Sequence, residues 1–255
     1  MSLYQLPRRL LRACGLDVVR YRPPVEPPLP PDLSEGELSI VRQIAPFSMT
    51  GVDRQVALIQ AVRHLVRTGI DGSFVECGVW RGGSTMAMAL TLIQEGHADR
   101  DLYLFDTFNG MTPPMTIDAA VADGTPALVH LDADQARAGY VWAVASLEEV
   151  QANLAATGYP PQRIHYVQGP VEQTLPARAP TAPIALLRLD TDWYESTRQE
   201  LQCLYPLVPS GGVVIVDDYG HWQGARAAVD EYFAGTIPPP YFHRIDYTGR
   251  LLVKP

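Results

Sequence analysis

The chain has 255 residues, 47% of them apolar and 19% charged, and a formal net charge of −8. That length suits one α/β domain with additions and buries a sizeable core. No apolar run approaches the roughly 18 residues that cross a bilayer, and the acidic balance excludes a chain built to coat nucleic acid, which needs clustered Lys and Arg. Cys14, Cys77 and Cys203 are widely spaced with no C-x-x-C pair. Neither a disulfide framework nor a zinc site is expected, and a reducing, cytoplasmic setting fits.

Residues 1–31 form a basic, proline-rich segment. Arg8, Arg9, Arg12, Arg20 and Arg22 precede "PPVEPPLPPD", but no apolar h-region follows the basic start, so a secretory signal is not indicated. "LYQLPRRLLRACGLDVVR" has the composition of a short amphipathic helix for peripheral contact with an acidic lipid surface, a partner or a neighbouring subunit. The plainer alternative is a locally packed tail with a stiff polyproline-like spacer.

Residues 32–70 read as helical. "DLSEGELSIVRQIAPF" begins at an Asp or Ser cap and closes near Pro46, and "TGVDRQVALIQAVRHLVRTG" spaces Val56, Ile59, Val62 and Val66 as one helical face before Gly69. Near-continuous apolar runs follow at 73–78, 102–106, 163–169, 184–190 and 212–218, with helical stretches between them. Such runs read as strands buried on both faces of a doubly wound, mainly parallel sheet. "YFHRIDYTGRLLVKP" adds two strands about a tight turn and hence an antiparallel edge. The 56 residues between Asp106 and Arg163 exceed one crossover; residues 107–147, rich in Pro, Gly, Met and Thr, read as a lid or substrate insertion in the 71–255 domain.

In such sheets ligands lie at the carboxyl ends of the strands. The first strand ends in "ECGVWRGGST", which sets Glu76 beside Gly78, Gly82 and Gly83, followed by Ser84 and Thr85. This is neither G-x-G-x-x-G nor a Walker loop, which needs a lysine; it suits a cationic cofactor without phosphate. Asp106 ends the second strand 30 positions after Glu76, where doubly wound folds place an acid against ribose hydroxyls. Two later strands also end in acids, "LLRLDTDWYEST" in Asp190 and Asp192 and "GGVVIVDDYG" in Asp217 and Asp218.

Together "FVECGVWRGGST", "YLFDTFNGM", "LLRLDTDWYEST" and "GGVVIVDDYG" resemble the macrocin O-methyltransferase family of the TylF and MycF type, over about residues 47–232. The resemblance implies a class I methyltransferase fold, S-adenosylmethionine as methyl donor, Mg²⁺ or Mn²⁺, and a sugar hydroxyl on a glycosylated natural product or glycan as acceptor. It also implies a homodimer or larger assembly. Carried over by motif, Glu76, Gly78, Val79, Trp80 and Ser84 line the methionine part of the cofactor, and Asp106 takes its ribose. Gly169, Val171 and Glu172 flank the adenine, although Pro170 stands where the family often has Asp. Met49 and Thr50, in "FSMTGVDR", cover the cofactor from the N-terminal side, so that residues 32–70 become a covering region.

Asp190, Asp217 and Asp218 are the implied metal ligands, an oxygen-only set suited to a hard cation, with Asp190 also beside the methyl donor. Related catechol-type enzymes use a lysine as base, but the one lysine here is Lys254, remote in sequence. Asp192 is the first candidate for the base and His221 the second. The structural alternatives are a helix N-cap for Asp192 and a pocket-lining or structural hydrogen bond for His221. Trp80, Trp193, Tyr194 and Trp222 are candidates to stack on a sugar, against the commoner fate of core aromatics. Three other classes remain. A glycosyltransferase would use "DTD" but leaves Glu76 and its glycine turn unexplained, a haloacid-type phosphohydrolase lacks its lysine, and a non-catalytic cofactor-binding module would not need every acid.

Overall fold

The computed structural model describes residues 12, 14, 15, 29–135 and 141–255. The chain divides into two units, Met1–Leu33 and Ser34–Pro255. The amphipathic helix read from sequence belongs to the first and, apart from Arg12, Cys14 and Gly15, lies outside the described residues.

The second unit opens with α1 (Glu35–Ile44) and α2 (Val52–Arg67). Ser34 starts α1 through a reciprocal pair: its Oγ accepts from the Glu37 N–H at 3.3 Å, and Glu37 Oε2 accepts from the Ser34 N–H at 2.8 Å. In α2 the inward stripe is Leu58, Ile59, Val62 and Leu65, with Val56 and Val66 only half-buried at its edges. The expected face was therefore rotated, because the two leucines bury more apolar area than the two valines.

The remaining elements are β1 (Ser73–Cys77), α3 (Gly83–Gln94), β2 (Leu102–Asp106), α4 (Ala127–Gln135), α5 (Leu147–Ala155), β3 (Ile164–Gln168), α6 (Val171–Arg178), β4 (Ile184–Leu189), α7 (Tyr194–Leu204), β5 (Val213–Val216), α8 (Gln223–Phe233), β6 (His243–Arg244) and β7 (Arg250–Val253). They build one seven-stranded sheet in the order β3-β2-β1-β4-β5-β7-β6. The first five strands are parallel, and β7 pairs antiparallel with β5 and β6. Every residue of β1, β4 and β5 is buried, which is why these strands read as unbroken apolar runs rather than alternating ones. Helices α1, α2 and α3 pack on one another, and α7 packs against both α6 and α8.

Strand order reverses between β1 and β4, so the chain leaves their carboxyl ends in opposite directions and opens a crevice there. Ladder bonds continue one residue past each strand: the Asp190 N–H donates to Cys77 O at 2.8 Å and the Asp217 N–H to Leu189 O at 2.9 Å. Asp190 and Asp217 are thereby held side by side over that crevice. Among the described residues no helix is long and apolar enough to cross a membrane.

Candidate active site

The crevice is a cavity of about 290 Å³, close to the lower end of the usual range for small-molecule sites. Met49, Thr50, Gly78, Val79, Trp80, Ser84, Asp106, Gly169, Val171, Glu172, Asp190, Asp192, Asp217, Asp218 and His221 all line it. Of the residues expected to bind cofactor or metal or to act as base, Glu76 alone does not; it is buried beneath the wall, bonded to the Thr85 hydroxyl and, at 2.7 Å, to Arg188 Nη1.

At the β1 end the backbone geometry explains the glycines. Gly78 has φ +81°, and a Cβ there would sit 1.9 Å from the Asp190 carbonyl oxygen. A Gly78→Ala variant should therefore lose ~2 kcal/mol or more, since left-handed backbone alone costs about 1–2 kcal/mol. The calorimetric melting temperature should fall by roughly 4–8 °C. A Cβ on Gly83 would lie 2.4 Å from the Phe47 carbonyl oxygen, so the absence of a side chain lets residues 47–50 cross the start of α3 and wall the cavity. Asp106 Oδ2 accepts from the N–H groups of Val79 (2.6 Å) and Trp80 (3.2 Å), and Oδ1 from that of Phe108 (2.7 Å). The acid of β2 thus holds the glycine turn of β1. Burial raises its pKa, and the three N–H donors only partly oppose the rise.

At the β4 and β5 end the organiser is Arg188, buried one residue before the end of β4. Its Nη1 donates to Glu76 Oε1 at 2.7 Å and to Asp190 Oδ2 at 2.6 Å, and its Nη2 to Asp217 Oδ1 at 2.7 Å. Arg54 of α2 bonds the other Asp217 oxygen and, through Nε, lies 3.0 Å from Asp246 Oδ2 in the β6–β7 turn. Burial would raise Asp217, but Arg188 and Arg54 outweigh it and hold the carboxyl below its ordinary range.

Its neighbours are less fully compensated. Seclusion from bulk water raises Asp190 well above the usual range against the pull of Arg188, with Asp217 and Asp218 adding to the rise. Burial followed by the charges of Asp192 and Asp217 does the same to Asp218. Burial and Asp190 push Asp192 up to about 7, although a hydrogen bond with Asp218 opposes the shift. Five carboxylates, those of Glu76, Asp190, Asp192, Asp217 and Asp218, thus meet two guanidinium groups. One oxygen from each of Asp190, Asp217 and Asp218 falls within 4.8 Å of the others. An all-oxygen set with surplus negative charge fits a hard divalent cation.

Asp192 does not cap α7. Trp193 occupies the N-cap position without a side-chain cap bond, and Asp192 lines the cavity instead, in a left-handed conformation of φ +67°. His221 also faces the cavity, with Nδ1 3.3 Å from the Tyr247 hydroxyl. Burial, then His130 and Arg54, depress its pKa, which keeps the ring neutral at pH 7. Lys254 is excluded as a base, since Nζ donates to the carbonyls of Tyr205 (3.1 Å) and Val208 (2.7 Å).

Of the four aromatic candidates, Trp80 and Trp222 line the cavity, whereas Trp193 and Tyr194 do not. Trp193 is 2% exposed and meets Trp222 edge-on in a small core with Ala120, Ala127, Leu131 and Ala225. Ala120, Ala127 and Leu131 of that core belong to the insertion, which also contributes Met111, Thr112, Val141 and Ala143 to the cavity wall. Sequence reasoning missed Arg54, Arg188 and Asp118. For Arg188 the signal was present, because a charge inside the apolar run "IALLRLD" must find buried partners.

A doubly wound sheet with a cavity at its switch point, a glycine turn after β1 and acids on β4 and β5 defines a class I O-methyltransferase. The macrocin-O-methyltransferase (TylF) family model matches residues 41–253. A tetracenomycin enzyme of Streptomyces olivaceus, 8-demethyl-8-(2,3-dimethoxy-alpha-L-rhamnosyl)-tetracenomycin-C 4'-O-methyltransferase, is 36% identical over 72% of this chain and 67% of its own. Demethyldecarbamoylnovobiocin O-methyltransferase of Streptomyces niveus is 37% identical over 73% and 68%. The solved structure of the O-methyltransferase NovP superposes with a TM-score of 0.69 at 34% identity, covering 82% of each chain. The chain belongs to the macrocin O-methyltransferase family and is an S-adenosylmethionine-dependent O-methyltransferase, which sets aside the glycosyltransferase and phosphohydrolase readings.

Proposed function

We propose that the acceptor is a sugar hydroxyl on a natural-product glycoside and that a divalent cation, Mg²⁺ or Mn²⁺, is held by Asp190, Asp217 and Asp218. The observation that carries the metal assignment is the meeting of these three acids on one wall of the cavity. The relatives support the acceptor class, because the Streptomyces olivaceus enzyme is named for a rhamnosyl substrate. Bound there, the cation would lower the pKa of an acceptor hydroxyl, as metals do for water.

The chain's own residues do the rest. The glycine turn, Ser84 and Asp106 hold the methionine and ribose portions of the cofactor, Gly169 to Glu172 flank the adenine, and Met49 and Thr50 close over it. Glu76 serves this end indirectly, by fixing Arg188. Asp192 accepts the hydroxyl proton as the oxygen attacks the methyl carbon; the sulfur–methyl bond breaks and neutral S-adenosylhomocysteine leaves. His221 is the second candidate for that proton. Residues 32–70 act as the cofactor cover and residues 107–147 as the acceptor-facing roof. The family resemblance supports a homodimer or larger assembly, and the three widely spaced cysteines support a reducing, cytoplasmic setting.

The test uses S-adenosylmethionine with p-nitrophenyl α-L-rhamnoside, followed by mass spectrometry for a single added methyl group. Methylation should cease in EDTA and return with Mg²⁺, while calorimetric binding of S-adenosylhomocysteine continues in EDTA. Turnover that ignores EDTA would remove the metal role, and a rhamnoside left unmethylated with Mg²⁺ present would count against the acceptor.

A further inference from the structure

Helices α7 and α8 each come after a strand-end pair of acids, and neither has a side-chain cap of its own: Trp193 and Trp222 stand at their N-cap positions without a cap bond. Unpaired N–H groups at a buried helix start are costly, and the positive end of the helix favours an anion. One carboxylate from the 107–147 insertion reaches both helix starts, hydrogen-bonded to that of α7 and in close approach to that of α8. Asp118, 1% exposed, accepts through Oδ1 from the N–H of Tyr194, the first residue of α7, at 2.9 Å. Its Oδ2 accepts from the Met115 N–H at 2.7 Å and so closes its own loop. The same Oδ1 lies against Gly224 in the first turn of α8, where a Cβ would come within 1.8 Å of it. Only a residue without a side chain admits the carboxylate between the two helix starts.

Further bonds run alongside. The Trp193 indole N–H donates to Thr112 O at 2.9 Å, and the Val121 N–H donates to His221 O and the Gln223 N–H to Ala119 O, each at 2.8 Å. Thr112 and His221 line the cavity, so each tie joins the roof to the segments that carry Asp192 and His221.

We propose that Asp118 is a positioning residue: its buried carboxylate clasps the insertion to the starts of α7 and α8 and so sets the acceptor side of the cavity relative to the acid tips. The clasp lies away from the glycine turn and from Gly169 to Glu172, so it governs the acceptor and not the cofactor. Asp192, in its left-handed conformation two residues before Tyr194, is held in part by this bond. The inference rests on the acceptor reading above for its kinetic half only.

The test breaks the bond from each side. Asp118→Asn turns one oxygen into an N–H₂ group that cannot accept from both amides. Tyr194→Pro deletes the N–H donor together with the tyrosine side chain and its hydroxyl bond to Glu231, at a first-turn position where proline is well tolerated, and Tyr194→Ala, which loses the same side chain but keeps the N–H, is the control. Amide exchange in residues 115–121 and at the start of α7 should rise together in Asp118→Asn and Tyr194→Pro and stay at the wild-type level in Tyr194→Ala. In both broken variants the KM for p-nitrophenyl α-L-rhamnoside should rise about tenfold while that for S-adenosylmethionine is unchanged, a split that general destabilisation would not produce. Exchange confined to one of the two segments, or equal shifts in both KM values, would overturn the clasp. A wild-type enzyme inert toward the rhamnoside would instead sink the acceptor reading, and the exchange result alone would then decide.

Discussion

Replacement of Asp192 by Asn should lower kcat by ~10²–10⁴-fold, the usual contribution of a positioned general base, while calorimetric affinity for S-adenosylhomocysteine is kept. The substitution isolates chemistry from folding. Asn tolerates the left-handed backbone at φ +67° as well as Asp does. It also removes a like charge from a crowded site, the one that, after burial, contributes most to raising the Asp218 carboxyl. The folded state should therefore be no less stable, and a calorimetric melt at or above the wild-type temperature would confirm that the lost turnover is a proton-transfer defect. An Asp192→Asn enzyme with wild-type kcat would pass the role to His221, whose ring is neutral at pH 7 and faces the same cavity.

Arg188→Met should be the most damaging change to stability, at about 3–5 kcal/mol, because it removes one side of a buried ion network and strands the other. Glu76 is the group left worst placed: it is 1% exposed and would keep only the Thr85 hydroxyl. The loss should also depend on pH in a defined sense. Burial already holds Glu76 above its ordinary value despite Arg188, and removal of the guanidinium lifts it further. With a folded pKa above the unfolded one, the folded chain binds the extra proton, so stability falls as pH rises from the unfolded value through the folded one. The difference between variant and wild type, measured by urea titration, should be larger at pH 8 than at pH 5. An Arg188→Met protein with an unchanged urea midpoint at pH 8 would show that the network contributes nothing to the fold.

The candidate site was legible in its acids because each ends an apolar run, and a parallel sheet brings the ends of its central strands together whatever the loops do. Asp106, Asp190, Asp217 and Asp218 are placed by that rule alone, and Gly78 by the need for one strand tip to pass another. Glu76 obeys the same periodicity, yet its side chain turned to Arg188 and away from the cavity, since a buried guanidinium demands carboxylates more strongly than an open crevice does. The aromatics were legible only as a group. Trp193 and Trp222 meet each other in a core completed by Ala120, Ala127 and Leu131, and no spacing in the chain announces that contact.

The amino-acid sequence by itself determined the parallel sheet, its antiparallel edge, the switch-point crevice and the acids around it, because strand periodicity and strand-end chemistry are local properties. Tertiary structure alone decided how those acids are neutralised and what roofs them. Arg54, Arg188 and Asp118 act on partners 163, 112 and 76 positions away. Pairings over such separations are chosen by the cost of burying an unmatched charge or N–H group, which arises only once the chain has closed around it.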